Sequence, residues 1–97
     1  MDMEALMAQA QDLQTKIASA QDSLAKMHVK GIAENGAVIV TLTGKYDIIS
    51  VVIRPETLDL GADKVAALVT DAYKDAKEKA DVLIDKTMSA VTGSLSE

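Results

Sequence analysis

From Met3 to Met27 small and aliphatic side chains recur in strict three-four alternation: Met3, Leu6, Ala10, Leu13, Ile17, Ala20, Leu24, Met27. This is the a/d spacing of a helix that lies lengthwise along another helix. A seam of that length needs a partner. In a chain of 97 residues the partner is the other end of the same molecule or a second copy. The e and g positions beside the seam are mostly neutral (Gln9, Gln14, Gln21, Ser23). A free-standing zipper usually carries charges there, so packing inside a compact fold is favoured over a dedicated coiled coil.

The period changes at His28. The spacing predicts a first helix over 2–25, then strands over 28–34, 37–43 and 46–53. Asn35-Gly36 is a strong hairpin signal because both residues tolerate positive φ. Gly44-Lys45 marks a second turn, so the three strands form an antiparallel meander. Arg54-Pro55 ends the sheet, since Pro55 lacks an amide donor and holds Arg54 extended. Residues 56–62 read as a linker pinned by Leu58 and Leu60, with Asp63 as the N-cap of a second helix over 64–91. Gly93 is expected to close that helix and residues 93–97 to fray. The expected fold class is α+β, an α-β-β-β-α subunit with the meander between two long helices, in one domain.

Two features ask for a second chain. The strands are apolar on both faces: Val38, Val40 and Leu42 point one way and Ile39 the other, while Ile48 and Val52 oppose Ile49, Val51 and Ile53. Helices from one chain cover one face only. The helices are also too long for the sheet. About 25 helical residues span roughly 37 Å, whereas a seven-residue strand spans roughly 23 Å, so the helices pair beyond the sheet or meet those of another chain. A homodimer follows, with Ile39, Ile49, Val51, Ile53, Leu13 and Ile17 as its expected interface. Scarce aromatics, Tyr46 and Tyr73 alone, thin the core further and favour shared burial.

Chemistry is sparse. There is no Cys, and His28 is the sole histidine, placed at a helix-to-strand junction. The glycines are isolated turn residues rather than a phosphate loop, and residues 59–63 lack the ligand spacing of a calcium loop. No catalytic residue, metal site, cofactor or small-molecule substrate is expected. No apolar run approaches the ~18 residues of a membrane span, and the acidic start (Asp2, Glu4) is unlike a signal peptide. A cytoplasmic protein with no membrane partner is expected. The net charge of −5 argues, taken alone, against a nucleic-acid binder.

The ordered elements nevertheless resemble one group. Leu6-Met7-Ala8-Gln9-Ala10-Gln11, Val29-Lys30-Gly31, Gly36-Ala37-Val38, Gly44, Val51-Val52-Ile53-Arg54-Pro55 and Leu68-Val69-Thr70-Asp71-Ala72-Tyr73-Lys74-Asp75-Ala76 are together similar to the YbaB/EbfC family of bacterial nucleoid-associated proteins. The likeness covers roughly residues 3–91, and it is the ordered set that is specific. Arg54 departs from an Asp common before that Pro in the family. The resemblance implies a homodimer that binds duplex DNA at the nucleoid with low sequence specificity, without enzymatic activity or cofactor.

On that reading the bound surface is where basic side chains converge. Arg54, Lys45, Lys74, Lys77, Lys16 and Lys86 are the candidate phosphate contacts, each doubled in a dimer, with the overhanging helix ends straddling the duplex. Arg54 stands out, beside a rigid Pro and away from the acidic stripe of the second helix. Lys79 is instead expected to pair with Asp75, one turn earlier. The competing reading is a homodimeric protein-interaction module that docks through its helical seam and has no nucleic-acid role.

Overall fold

The computed structural model describes residues 2–95, with side chains through Val91. Helix α1 (Met3–Lys26) leads into strands β1 (His28–Ala33), β2 (Val38–Thr43) and β3 (Ile48–Ile53), and the chain closes with helix α2 (Ala62–Leu95). The sheet has the order β1-β2-β3 and both pairings are antiparallel. The α-β-β-β-α order and the meander expected from the sequence are therefore present.

Asp2 starts α1 as its N-cap, its carboxylate accepting the Glu4 amide at 3.1 Å, which satisfies one of the unpaired amides at a helix start. The Asn35-Gly36 hairpin is longer than a two-residue turn. Glu34, Asn35 and Gly36 all have positive φ (50°, 57° and 95°), and Ala37 closes a four-residue loop through its amide to the Glu34 carbonyl. The segment 55–60 is a 3-10 turn, and Leu58 and Leu60 stay exposed instead of pinning it. The buried residue there is Thr57, whose hydroxyl donates to the Ala37 carbonyl at 3.2 Å. Helix α2 begins earlier than expected: the Gly61 carbonyl accepts the Val65 amide, so Asp63 lies in the first turn rather than at the cap. The helix also runs through Gly93 to Leu95, so Gly93 does not end it; Ser96 and Glu97 lie outside the described residues.

The core is narrow. Val38, Val40 and Leu42 of β2 are fully buried against Leu68, Ala72 and Ala76 of α2. The i, i+4 spacing from Leu68 through Ala72 and Ala76 to Ala80 gives α2 a stripe of small residues on one face. Gly31 of β1 meets that stripe. A Cβ there would overlap the Ala72 carbonyl oxygen and the Ala76 amide nitrogen, so backbone lies on backbone.

Three expectations about packing need correction. First, only α2 covers the sheet. Helix α1 meets it at one end, where Gly44 donates its amide to the Leu24 carbonyl at 2.9 Å, and otherwise packs on α2 beyond the strands. The molecule is accordingly slender, 68 × 18 × 16 Å. Second, the α1 seam is used unequally: Ala20 and Leu24 are buried, Leu13 and Ile17 half-buried, and Met3 and Leu6 exposed, because α2 ends before it reaches the start of α1. Third, a bulge in β3 pairs Ser50 with Thr41 but Ile48 with Leu42. Ile48 therefore joins Val51 on the helix side of the sheet instead of opposing it with Val52.

Candidate nucleic-acid interface

Helix α2 lies over β1 and β2 and leaves β3 largely bare. Ile48, Ile49, Val51 and Val52 are exposed, while Ile39 and Ile53 are half-buried. The residues expected at a dimer interface thus fall into two sets, Ile39, Ile49, Val51 and Ile53 around β3, and Leu13 and Ile17 on α1, the latter facing the helical overhang.

The basic residues are not spread evenly. Lys16 pairs with Asp12 at 3.2 Å, Lys26 with Asp22 at 3.2 Å, Lys64 with Glu34 at 3.8 Å and Lys79 with Asp75 at 3.1 Å. Lys45, Arg54, Lys74, Lys77 and Lys86 are exposed, and no ion pair to them is formed among the described residues. Lys45 and Arg54 sit at opposite ends of the sheet, roughly 20 Å apart along a six-residue strand. Lys86 is nine residues beyond Lys77, two and a half turns on, and so points to the other side of α2. The six candidates do not form one patch in a single chain.

Two of them share a face of α2, and the turn of a third is tied to that helix. Tyr46, at the tip of the β2-β3 turn with φ 69°, donates its hydroxyl to the Asp81 carboxylate of α2. This holds the turn that carries Lys45 against α2, where Lys45 lines a shallow pocket with Ile84 and Met88; Lys77 and Lys74 lie about one and two turns before Asp81 on the same face of the helix. Asp81 draws the Tyr46 hydroxyl above its ordinary pKa, chiefly through that hydrogen bond, so the phenol stays protonated and the clasp holds at neutral pH. The exposed lysines on this side are therefore Lys74 and Lys77 on one helix face, interspersed with Asp71, Glu78 and Asp81, and Lys45 further along at the turn. Sequence reasoning named all three lysines but missed the bond of Tyr46 to Asp81, having placed Tyr46 at the start of the third strand.

A second arrangement lies at the opposite edge. The Asp75 carboxylate accepts the Ile32 amide of β1 at 2.9 Å, and the Lys79 ammonium donates to the Lys30 carbonyl at 2.7 Å. The Asp75 carboxyl is held below the usual carboxylate range, first by the Ile32 amide and then by Lys79. Among the described residues no group of His, Cys, Asp and Glu is placed to hold a metal ion, and no helix is long and apolar enough to cross a membrane.

Residues 1–95 match the YbaB/EbfC DNA-binding family, and the chain belongs to that family. It is 38% identical over 91 residues to a nucleoid-associated protein of Rhodospirillum rubrum, covering 93% of this chain and 85% of that one. A nucleoid-associated protein of Bordetella avium is 39% identical over 90 residues (93% and 83% covered), and one of Bradyrhizobium diazoefficiens 35% over 95 (97% and 90%). The crystal structure of an uncharacterized Helicobacter pylori protein has the same fold, with a TM-score of 0.63 at 15% identity over 91% of this chain and 98% of that one.

Proposed function

We propose that this protein binds duplex DNA as a homodimer at the nucleoid, gripping the phosphate backbone with little regard for sequence. The observation that carries the reading is that Lys45, Lys74 and Lys77 are exposed and free of ion pairs among the described residues, Lys74 and Lys77 on one face of α2 and Lys45 on the turn that Tyr46 ties to that helix. Lysines are point charges that neutralise phosphates without reading base edges. Among the described residues acids interrupt the lysines on both helices, which fits backbone contact better than a helix seated in a major groove and supports low specificity. Family membership supports the DNA partner, and the bare β3 supports the second copy. Lys86 and Arg54 add charge elsewhere, and Lys16, engaged by Asp12, contributes least.

The test is a fluorescence-anisotropy titration of a random duplex at several salt concentrations. Three lysines per chain, doubled in the dimer, predict a slope of log K against log salt of about −5. Replacing Lys45, Lys74 and Lys77 with Ala abolishes most of that slope, and unrelated duplexes bind within a few-fold of one another. Absence of binding at low salt, or a slope untouched by the triple replacement, rules the reading out.

One observation favours the protein-docking alternative for part of the molecule. The start of α1 exposes Met3, Leu6 and Met7 beside Asp2, Glu4 and Asp12, with no basic side chain before Lys16. This tip repels phosphate. A partner protein captured equally well with and without nuclease assigns it a docking role.

A further inference from the structure

One turn holds both long helices. Residues 43–47 join β2 to β3, and the Gly44 amide donates to two carbonyls at the end of α1, Leu24 at 2.9 Å and Met27 at 3.0 Å. The last carbonyls of a helix have no partner within it, so α1 is capped from the sheet. Two residues on, the Tyr46 hydroxyl donates to the Asp81 carboxylate of α2. The turn between these ties is braced through Thr43, which is buried. Its hydroxyl oxygen accepts the amides of Lys45 and Asp47 at 3.1 and 3.2 Å, its amide donates to the Asp47 carbonyl at 2.9 Å, and its carbonyl accepts the Tyr46 amide at 3.0 Å. Tyr46 has φ 69°, a conformation that a bulky residue keeps only where its surroundings over-determine it.

The direct contact of α1 with α2 is too loose to fix the angle between them. Two crevices, of about 360 and 370 Å³, open between the helices. The outer one is walled largely by small side chains, Ser19, Ala20, Ser23 and Ala90, which offer few ridges to lock into a groove. The inner one lies under the turn, between Leu24 of α1 and Ile84 and Met88 of α2. We infer that residues 43–47 are the bracket that sets the pitch of the α1 overhang, with Gly44 and Tyr46 as its positioning residues. The helix then acts as a lever. A Cβ on Gly44 would stand 2.7 Å from the Leu24 carbonyl oxygen, where ordinary contact begins at 3.4 Å, so the helix end has to yield by about 0.7 Å. Ala20, buried beside α2, lies four residues back, about 6 Å along the axis. Pivoting there, α1 tilts by about 7° and carries Ala5, about 22 Å further out, through about 2–3 Å. The direction in which the overhang presents Met3, Leu6 and Met7 is thus decided at the far end of the helix.

The chain has no cysteine, so introduced cysteines carry spin labels cleanly. Ala5→Cys is paired with Asp85→Cys or with Lys86→Cys, which point about 100° apart around α2, and the distances are read by pulsed electron paramagnetic resonance. The doubly labelled protein is diluted into unlabelled protein, so that only distances within one chain are read. The parent is expected to give one narrow distance for each pair. Gly44→Ala shifts at least one of them by about 2–3 Å. Tyr46→Phe and Asp81→Ala broaden both, whereas Asp81→Asn, whose side-chain carbonyl still accepts the phenol, keeps the parent width. Val38→Ala, a core cavity at the other end of β2, lowers stability and moves neither distance. Should Gly44→Ala fail to fold, the Tyr46 and Asp81 variants decide. Parent distances and widths in Tyr46→Phe and in a folded Gly44→Ala, equal broadening by Asp81→Asn and Asp81→Ala, or an equal change in Val38→Ala overturns the inference. No DNA is present, so the outcome is independent of whether the protein binds a duplex.

Discussion

Gly31→Ala is the most demanding single change for this fold. The Gly31 Cα lies so close to α2 that an added Cβ overlaps the Ala72 carbonyl oxygen and the Ala76 amide nitrogen, and comes within 2.7 Å of the Ala76 Cβ. Neither backbone atom can rotate away. Trimming Ala76 does not help, because the clash is with the helix main chain. The helix has to lift by about an ångström from a stripe in which Leu68, Ala72 and Ala76 are at most 2% exposed. Overpacking a flexible site costs about 1–3 kcal/mol; here, with main chain as the obstacle, the cost is about 3 kcal/mol or more. For a domain of this size each kcal/mol moves Tm by about 4–8 °C, so a drop of more than about 12 °C is expected by circular dichroism, with a matching fall in the urea midpoint. Gly61→Ala is the control. Nothing lies within 4 Å of its Cβ, although φ is +92°, so the cost is backbone strain alone, of order 1–2 kcal/mol. If Gly31→Ala unfolds within about 1 kcal/mol of the parent, the contact of α2 with β1, and the bonds of Asp75 and Lys79 to that edge, must be wrong.

The remaining predictions concern the seam, the β1 edge and the clasp. Leu24→Ala removes a buried anchor between α1 and the Gly44 turn and costs about 2–4 kcal/mol, whereas Leu6→Ala, on the exposed tip, changes urea stability by less than about 0.5 kcal/mol; equal costs would show that the tip is packed in solution. Asp75 titrates below its ordinary 3.8 because the Ile32 amide, and then Lys79, favour the carboxylate. Its contribution is therefore complete above pH 3.8 and disappears as pH falls through the lowered folded value, so Asp75→Asn makes acid unfolding less steep below pH 3.8, and an unchanged acid limb refutes the bond. Tyr46 has the opposite sign: its folded pKa lies above 10.0, its contribution is complete below that value, and it is lost as pH rises through the folded one. Tyr46→Phe removes this alkaline loss and, by freeing the turn of Lys45 from α2, weakens DNA binding a few-fold; a variant with unaltered affinity shows that the clasp does not position Lys45.

Much of the architecture was legible because hydrophobic period is a local property. The three-four seam of α1, the β-branched run from Val38 to Thr43 and the Pro55 break each point to one element type, and the structure has them in that order. What the sequence hid depends on distance in space. The bulge at Ile48 and Ile49 moves Ile48 to the other face, and no residue type announces it. Asp75 and Lys79 read as a helical i, i+4 pair, which they are, yet their larger task is on β1, more than 40 residues away. Thr57 looked like linker and is buried because its hydroxyl finds the Ala37 carbonyl. One signal was present and unused: Gly31 in a strand and Ala72, Ala76 and Ala80 at helical spacing are the residues that allow a helix to approach a strand closely. For the candidate site, residue types gave the lysines, but only the structure shows that Lys45 sits on a turn tied to α2 near Ile84 and Met88, while Arg54 and Lys86 stand elsewhere.

An acidic protein that grips a polyanion needs its opposing charges separated by more than the screening length, about 8 Å at physiological salt. This fold supplies the separation for the acids of α1. Asp2, Glu4 and Asp12 lie on the overhang of α1, and the helix runs another 15 residues from Asp12 before β1 begins, about 22 Å. Over that distance their repulsion of a phosphate at Lys45, Lys74 and Lys77 is screened out. Of the nearer acids, Asp75 is paired with Lys79 and Asp81 accepts the Tyr46 hydroxyl, while Asp71 and Glu78 lie exposed one turn either side of Lys74 and reduce its pull on a phosphate. The net charge of −5 therefore sets solubility and the long-range field, and the local count at Lys45, Lys74 and Lys77 sets the grip. The two terms have opposite salt dependence. Added salt first screens the repulsion that slows approach and then competes for the phosphates, so association rates measured by stopped flow should rise slightly from very low salt before falling. A rate that falls monotonically from the lowest salt would mean that the acidic overhang does not face the approaching duplex.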